Sequence, residues 1–179
     1  LIEANSIDGF SSGVSISTYG VPIPVTLDGN TVRYTYGSGI SLQDQRSAVI
    51  TANSVSRVDT DPMMGLSGTG IELLNSSATV SGNTATGAAY GLQIDQSLSE
   101  PLSVEVFDNA FTGNTTGIWL GNQTLATVTR NDLSGNTQYG LANRTANEVD
   151  ARFNSWGDSQ TDEISSGGNP KNQSFIIDG

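Results

Sequence analysis

The chain has 179 residues, of which 35% are hydrophobic and 7% aromatic, lean for a compact globule of that length. Its net charge is −11 and Lys171 is its single lysine, so no basic stripe exists to neutralise phosphates, which argues against a nucleic-acid partner. Cysteine is absent, which removes disulfides and thiolate metal sites, and no run approaches the ~20 apolar residues of a membrane span.

From its first residues the chain repeats one small frame. Asn5, Asn30, Asn53, Asn83, Asn109, Asn131 and Asn154 follow one another at intervals of 25, 23, 30, 26, 22 and 23 residues. Two residues beyond each stands Ile7, Val32, Val55, Ala85, Phe111, Leu133 or Trp156, and three before each stands Ile2, Leu27, Ile50, Val80, Val106, Val128 or Ala151. A register kept through variable intervals means that length varies only where nothing needs to stack, the signature of a solenoid. The periodic Val, Ile and Leu argue against the disorder that a Ser-, Thr-, Asn- and Gly-rich composition would otherwise suggest. Leu1 and Ile2 are assigned to inward positions of the first coil, so the chain is expected to begin in mid-repeat, as a segment of something longer.

Within a coil, Val25, Ala48, Ala78, Val104, Ala126 and Val149 lie five residues before the asparagine. With the position three before, they alternate inward around outward Thr26, Val49, Thr79, Glu105, Thr127 and Asp150, which predicts a short strand with one buried face. The asparagine is expected to turn the corner itself, since Asn tolerates left-handed backbone angles, with its amide bonded to its equivalents above and below. A second strand starts at the next inward residue. A third comes from the cassettes Gly13-Val14-Ser15-Ile16, Gly39-Ile40-Ser41-Leu42, Gly70-Ile71-Glu72-Leu73, Gly91-Leu92-Gln93-Ile94, Gly117-Ile118-Trp119-Leu120 and Gly140-Leu141-Ala142-Asn143. The cassette glycine follows the asparagine by 8 or 9 residues in five coils and by 17 in the coil of Asn53, which therefore carries a loop insertion, Ser56 to Gly65.

Every copy runs the same way and must pair with its successor, so the sheets are parallel. Three short strands per coil and about six to seven coils, at the ~4.8 Å strand spacing, make an all-β rod roughly 30 Å long over residues 1–157. A leucine-rich horseshoe would need leucine-dominated cassettes, and helical repeats are opposed by the Gly and Thr content. Residues 158–179 read as an acidic C-terminal loop whose Phe175-Ile176-Ile177 folds back to cover the open edge of the last coil.

The segments Val106-Phe107-Asp108-Asn109-Ala110-Phe111-Thr112-Gly113-Asn114 and Val128-Thr129-Arg130-Asn131-Asp132-Leu133-Ser134-Gly135-Asn136 carry a resemblance to a known superfamily, as does the closing Val149-Asp150-Ala151-Arg152-Phe153-Asn154-Ser155-Trp156-Gly157. The chain resembles the right-handed parallel β-helix proteins typified by pectate lyases, and especially their asparagine-rich bacterial repeat branch, over nearly all of residues 1–157. The resemblance implies a single-stranded right-handed β-helix. It is almost silent on activity, since the superfamily spans lyases, hydrolases, epimerases, tailspikes, adhesins and passive surface repeats.

The catalytic sets of such enzymes are tested by absence. Histidine is missing, which removes any imidazole acid or base, and Lys171 lies beyond the coils. Arginine as a lyase base needs a setting that lowers its very high pKa. Arg33 and Arg57, just beyond the corners of adjacent coils, are a candidate contact for an anionic sugar. The loop residues Arg57, Asp59 and Asp61 are the other candidate group. Asp59 and Asp61 could serve as paired carboxylates of a glycoside hydrolase or as weak Ca²⁺ ligands, though Asp-x-Asp-Pro on a loop reads first as turn chemistry. None of the polygalacturonase elements of this fold occurs, and no cofactor beyond that Ca²⁺ option is implied. Five Asn-Xaa-Ser/Thr triplets, at Asn75, Asn114, Asn122, Asn143 and Asn172, are attributed to composition.

Trp119 is the more informative residue. It takes the outward slot of its cassette, with Glu72 and Gln93 in the slots beneath and Asp95 nearby on the same face. An exposed indole beside carboxylate and amide groups is what a sugar ring needs. The bland alternative is an indole covered by the loop Gln96 to Leu102 or by a neighbouring domain. Trp156 and Phe111 fall on inward positions, and Tyr19, Tyr34 and Tyr36 gather on loops of the first two coils.

Three classes of function remain. The preferred one is a secreted or cell-surface scaffold, part of a larger protein, that binds polysaccharide or a partner surface. A polysaccharide-degrading or -modifying enzyme is the rival, and a structural spacer of an adhesin, S-layer or phage spike is the third. No covalent chemistry is assigned.

Overall fold

The computed structural model describes residues 1–9, 11–18, 23–59, 68–97, 102–158 and 176–178. Their strands stack into three parallel sheets. The first holds β1 (Ile2–Glu3), β4 (Thr26–Asp28), β7 (Ala48–Thr51), β10 (Ala78–Ser81), β13 (Ser103–Phe107) and β16 (Leu125–Thr129). The second holds β2 (Ser6–Asp8), β5 (Thr31–Tyr36), β8 (Ser54–Asp59), β11 (Thr84–Thr86) and β14 (Ala110–Phe111). The third holds β3 (Val14–Ser17), β6 (Ser38–Gln43), β9 (Thr69–Leu74), β12 (Tyr90–Gln96), β15 (Thr116–Asn122), β17 (Tyr139–Asn143) and β18 (Ile176–Asp178).

Five coils have a strand in all three sheets. The sixth keeps β16 and β17 but meets the second sheet only through isolated bridges at Asp132, and a seventh contributes bridges at Asp150 and Ser155. The expected six to seven coils are therefore five complete turns with a tapering end. At the taper Asp132 accepts a hydrogen bond from the Ser134 N–H, a local turn that competes with continued strand pairing.

The inward columns follow the periodicity of the sequence. On the first sheet Ile2, Leu27, Ile50, Val80, Val106 and Val128 are in register. Ile7, Val32, Val55, Ala85 and Phe111 stack on the second, and Ile40, Ile71, Leu92, Ile118 and Leu141 on the third. Most of these side chains are fully buried, and they join Trp156 in one continuous core. Leu1 departs from expectation: it precedes the first strand and is 78% exposed, so Ile2 is the first inward residue.

The corner asparagines form one unbroken column. Each Nδ2 donates to the Oδ1 of the next coil at 2.9–3.0 Å, and each backbone N–H donates to the same oxygen at 2.8–3.1 Å. The left-handed residue is the one before the asparagine, which corrects the expectation that Asn itself turns the corner. Ala4, Gly29, Ala52, Gly82, Asp108, Arg130 and Phe153 all lie at φ between 52° and 65°. Bending the chain one residue early lets both the N–H and the amide of Asn aim along the stack.

A second column shows why the cassettes begin with glycine. At Gly13, Gly39, Gly70, Gly91 and Gly117 a β-carbon would come within 2.1–2.8 Å of the carbonyl oxygen of the equivalent glycine in the next coil. Lack of room, not backbone angle, selects the residue. At the far end Ile176–Asp178 adds to β17 in parallel, with Ile176 in register with Leu141 and packed on the core. Phe175, Tyr19, Lys171 and Asn172 lie outside the described residues.

Candidate functional site

Alternation along the third sheet sends one residue of each cassette outward, and strand pairing aligns these residues from coil to coil. The resulting column runs Ser15, Ser41, Glu72, Gln93, Trp119 and Ala142. Asp95 stands in the neighbouring column, opposite Gly121. The candidate residues Trp119, Glu72, Gln93 and Asp95 thus share one face. Their polar atoms are engaged between coils: Glu72 accepts from the hydroxyls of Ser38 at 3.0 Å and Ser41 at 2.8 Å, Gln93 Oε1 accepts from Thr69 at 3.2 Å, and Asp95 accepts from the Asn122 amide.

Trp119 is half-buried and leans along its own strand over Gly121. A β-carbon on Gly121 would lie 2.1 Å from Cη2 and 2.2 Å from Cζ3 of the indole, so the ring fills the outward space that Gly121 leaves. The indole also meets Tyr90, ring centres 6.1 Å apart and planes tilted by 54°, within the range of favourable aromatic pairs. Trp119, Tyr90 and Tyr139 together line a half-open pocket of about 170 Å³, with Thr116, Gln138 and Arg144 among its polar lining and, among the described residues, no Asp or Glu. Tyr90 and Tyr139 share a column with Thr116 between them.

Tyr90 and Tyr139 were not among the expected site residues. A signal for the tyrosines does exist in the sequence: each directly precedes a cassette, as Tyr90-Gly91-Leu92 and Tyr139-Gly140-Leu141, two coils apart. Stacking alone turns that recurrence into two sides of one pocket.

Residues 1–155 match the protein family described as "Right handed beta helix region". The chain belongs to that family. Neither the curated proteins nor the solved structures include a significant match to it. Family membership accounts for the three-sheet stack and its handedness. It leaves the function of this β-helix to be argued from its own surface.

The other candidates of this β-helix lie on its second sheet. Register places Ser56, not Arg57, against Arg33. Arg57 instead covers Tyr34, its guanidinium carbon 4.9 Å from the ring centre and Nη1 donating to the tyrosine hydroxyl. Tyr34 and Arg57 sit at φ 54° and 56°, in a corner where Gly9, Gly87, Gly113 and Gly135 serve the other coils. Asp59 ends β8, in register with Tyr36 and exposed, so residues 56–59, expected as the start of a loop insertion, continue the strand and pair with β5; Asp61, with the rest of residues 60–67, lies outside the described residues. Among the described residues no three His, Cys, Asp or Glu side chains gather in a metal-binding cluster.

The carboxylates with perturbed acidity are elsewhere. Asp108 is held below the usual carboxylate range by its hydrogen bonds from Arg130, and Asp150 likewise by Arg152. Both pairs sit on the exposed edge of the asparagine corner, where solvent screens them. Of the glycosylation triplets, Asn114 and Asn143 are buried and hydrogen-bonded within the coils.

Proposed function

We propose that this β-helix is a secreted or cell-surface scaffold, part of a larger protein, that binds polysaccharide without transforming it. The carrying observation is the Trp119 pocket. A pyranose ring has an apolar C–H face and a hydroxylated rim. The indole and the two tyrosines match the first, and Thr116, Gln138 and Arg144 match the second. The stacked coils hold these groups in place before any ligand arrives, which lowers the ordering cost of binding.

Binding is favoured over hydrolysis by the carboxylates. Glycoside hydrolysis needs two of them flanking the bond, one as acid and one as base or nucleophile. Among the described residues no Asp or Glu lines the pocket, and the candidates on this face, Glu72 and Asp95, accept hydrogen bonds from Ser38, Ser41 and Asn122. Affinity electrophoresis through gels cast with soluble polysaccharides tests the reading. Trp119→Ala is expected to weaken retardation about tenfold, the loss of a stacking contact worth roughly 1–1.5 kcal/mol, with little change in melting temperature. Retardation unchanged by the substitution would contradict it.

A further inference from the structure

We infer that the Trp119 pocket reads a single sugar at a chain end or branch point, not a run of polysaccharide, and that Gly121 sets the wall that makes it so. The inference rests on the carbohydrate reading above and narrows it to a ligand class.

Size is the first reason. About 170 Å³ falls below the ~300–1,000 Å³ of pockets that enclose drug-sized ligands, and suits one ring. The boundaries are the second. Tyr90 and Tyr139 occupy one column two strands apart, roughly 9–10 Å at the parallel-strand spacing, with Trp119 on the strand between them. Two tyrosines flanking an indole at that separation admit one ring and obstruct a chain running on across the coils.

Among the described residues the aromatic surface also stops on either side. Beneath Trp119 the column continues as Gln93, Glu72 and Ser41, with Gln93 and Glu72 bonded to Thr69, Ser38 and Ser41. Above it comes buried Ala142, and the next strand of the sheet is β18. Among the described strands of this sheet no other outward aromatic continues the platform. A groove for a linear polymer would need stacking groups repeated from coil to coil.

Gly121 is a positioning residue. It makes the outward space into which the indole leans, and any side chain there would meet the indole edge at 2.1–2.2 Å. The ring would have to lift away from the strand and change its approach to Tyr90. Gly121→Ala should therefore disturb the pocket while leaving the inward columns untouched.

The test compares matched polymers in native gels: galactomannan against its debranched mannan backbone, and arabinoxylan against debranched xylan. Retardation should depend on the branches and be relieved by the methyl glycoside of the branch sugar as effectively as by a longer oligosaccharide. Gly121→Ala should weaken it about tenfold, as loss of the stacking contact would, and red-shift tryptophan emission relative to the parent protein. Retardation undiminished by debranching, which leaves each chain only its single non-reducing end, or inhibition that rises steadily with backbone length, would overturn the inference while the binding reading stands. Unchanged emission and retention in Gly121→Ala would remove the role given to that residue. If no polymer retards the protein, or Trp119→Ala leaves retardation intact, the carbohydrate reading itself falls and the inference with it.

Discussion

Asn83 shows what a buried amide requires. Its Oδ1 accepts from the backbone N–H and the Nδ2 of Asn53, and its own Nδ2 donates to Asn109, Ile50 and Ser81. Removing it strands the Asn53 backbone N–H in a dry site, at about 1–3 kcal/mol for an unpaired donor, and takes away the Asn83 amide's own bonds to Asn109, Ile50 and Ser81, while Asn53 Nδ2 keeps Leu27 and Thr51. Asn83→Ala is therefore expected to lower unfolding free energy by about 3–5 kcal/mol, read by denaturant titration, whereas Asn5→Ala at the exposed end should lose roughly 1 kcal/mol or less. Equal losses at the two positions would mean that the column is not continuous. The residue before each asparagine gives an opposite test. Ala52 is exposed at φ 54°, a conformation costing a side-chain-bearing residue about 1–2 kcal/mol, while glycine's extra freedom in the unfolded chain costs about 0.5–1 kcal/mol. Ala52→Gly should gain about 0.5–1 kcal/mol, measured the same way, and Gly82→Ala at the equivalent corner should lose a similar amount. This strain was not legible in the sequence. Gly29, Gly82 and, more weakly, Asp108 signal it, and Ala4, Ala52, Arg130 and Phe153 carry no side-chain hint of a left-handed backbone.

At the level of strands, legibility follows sterics. The inward columns could be read because a two-residue alternation repeated over coils leaves one way to bury its apolar set, and a slip of one residue would expose it. The cassette glycines were legible as markers, but the reason for them is the coil above. A β-carbon on Gly91 would stand 2.7 Å from the Gly117 carbonyl oxygen and 2.9 Å from Phe111 Cβ. Gly91→Ala is expected to destabilise by about 2–3 kcal/mol in thermal or denaturant unfolding, because the obstacles are backbone and core and neither can swing aside. A near-neutral result would show the coils free to spread. The Trp119 site was half legible. Its column neighbours Glu72 and Gln93 follow from the period, whereas Tyr90, Tyr139 and Gly121 become partners through stacking across coils and through the direction the indole takes. Arg57 was misaligned with Arg33 for a related reason, since a shift of one residue past a corner changes the neighbour from arginine to Tyr34.

Over the whole molecule, each coil leans on its neighbours, so stability is a sum of repeated contacts between adjacent turns and the scaffold is stiff without a large hydrophobic content. Variation in coil length leaves the core and the asparagines in register: after Asn53 the extra length begins only beyond β8, which still pairs with β5 and buries Val58 in the core. Against that uniform background the cluster of Tyr90, Trp119 and Tyr139 departs from the polar residues beneath it on the third sheet, in a place where no carboxylate among the described residues lines the pocket. That departure is why binding, rather than catalysis or simple spacing, is the function proposed for this β-helix. A crystal structure with a retarding saccharide bound tests it most directly. One sugar ring is expected to stack on the Trp119 indole between Tyr90 and Tyr139, with its hydroxyls toward Thr116, Gln138 and Arg144 and its glycosidic bond intact. Density for the sugar on another face, or with two carboxylates bracketing a cleaved bond, would contradict it.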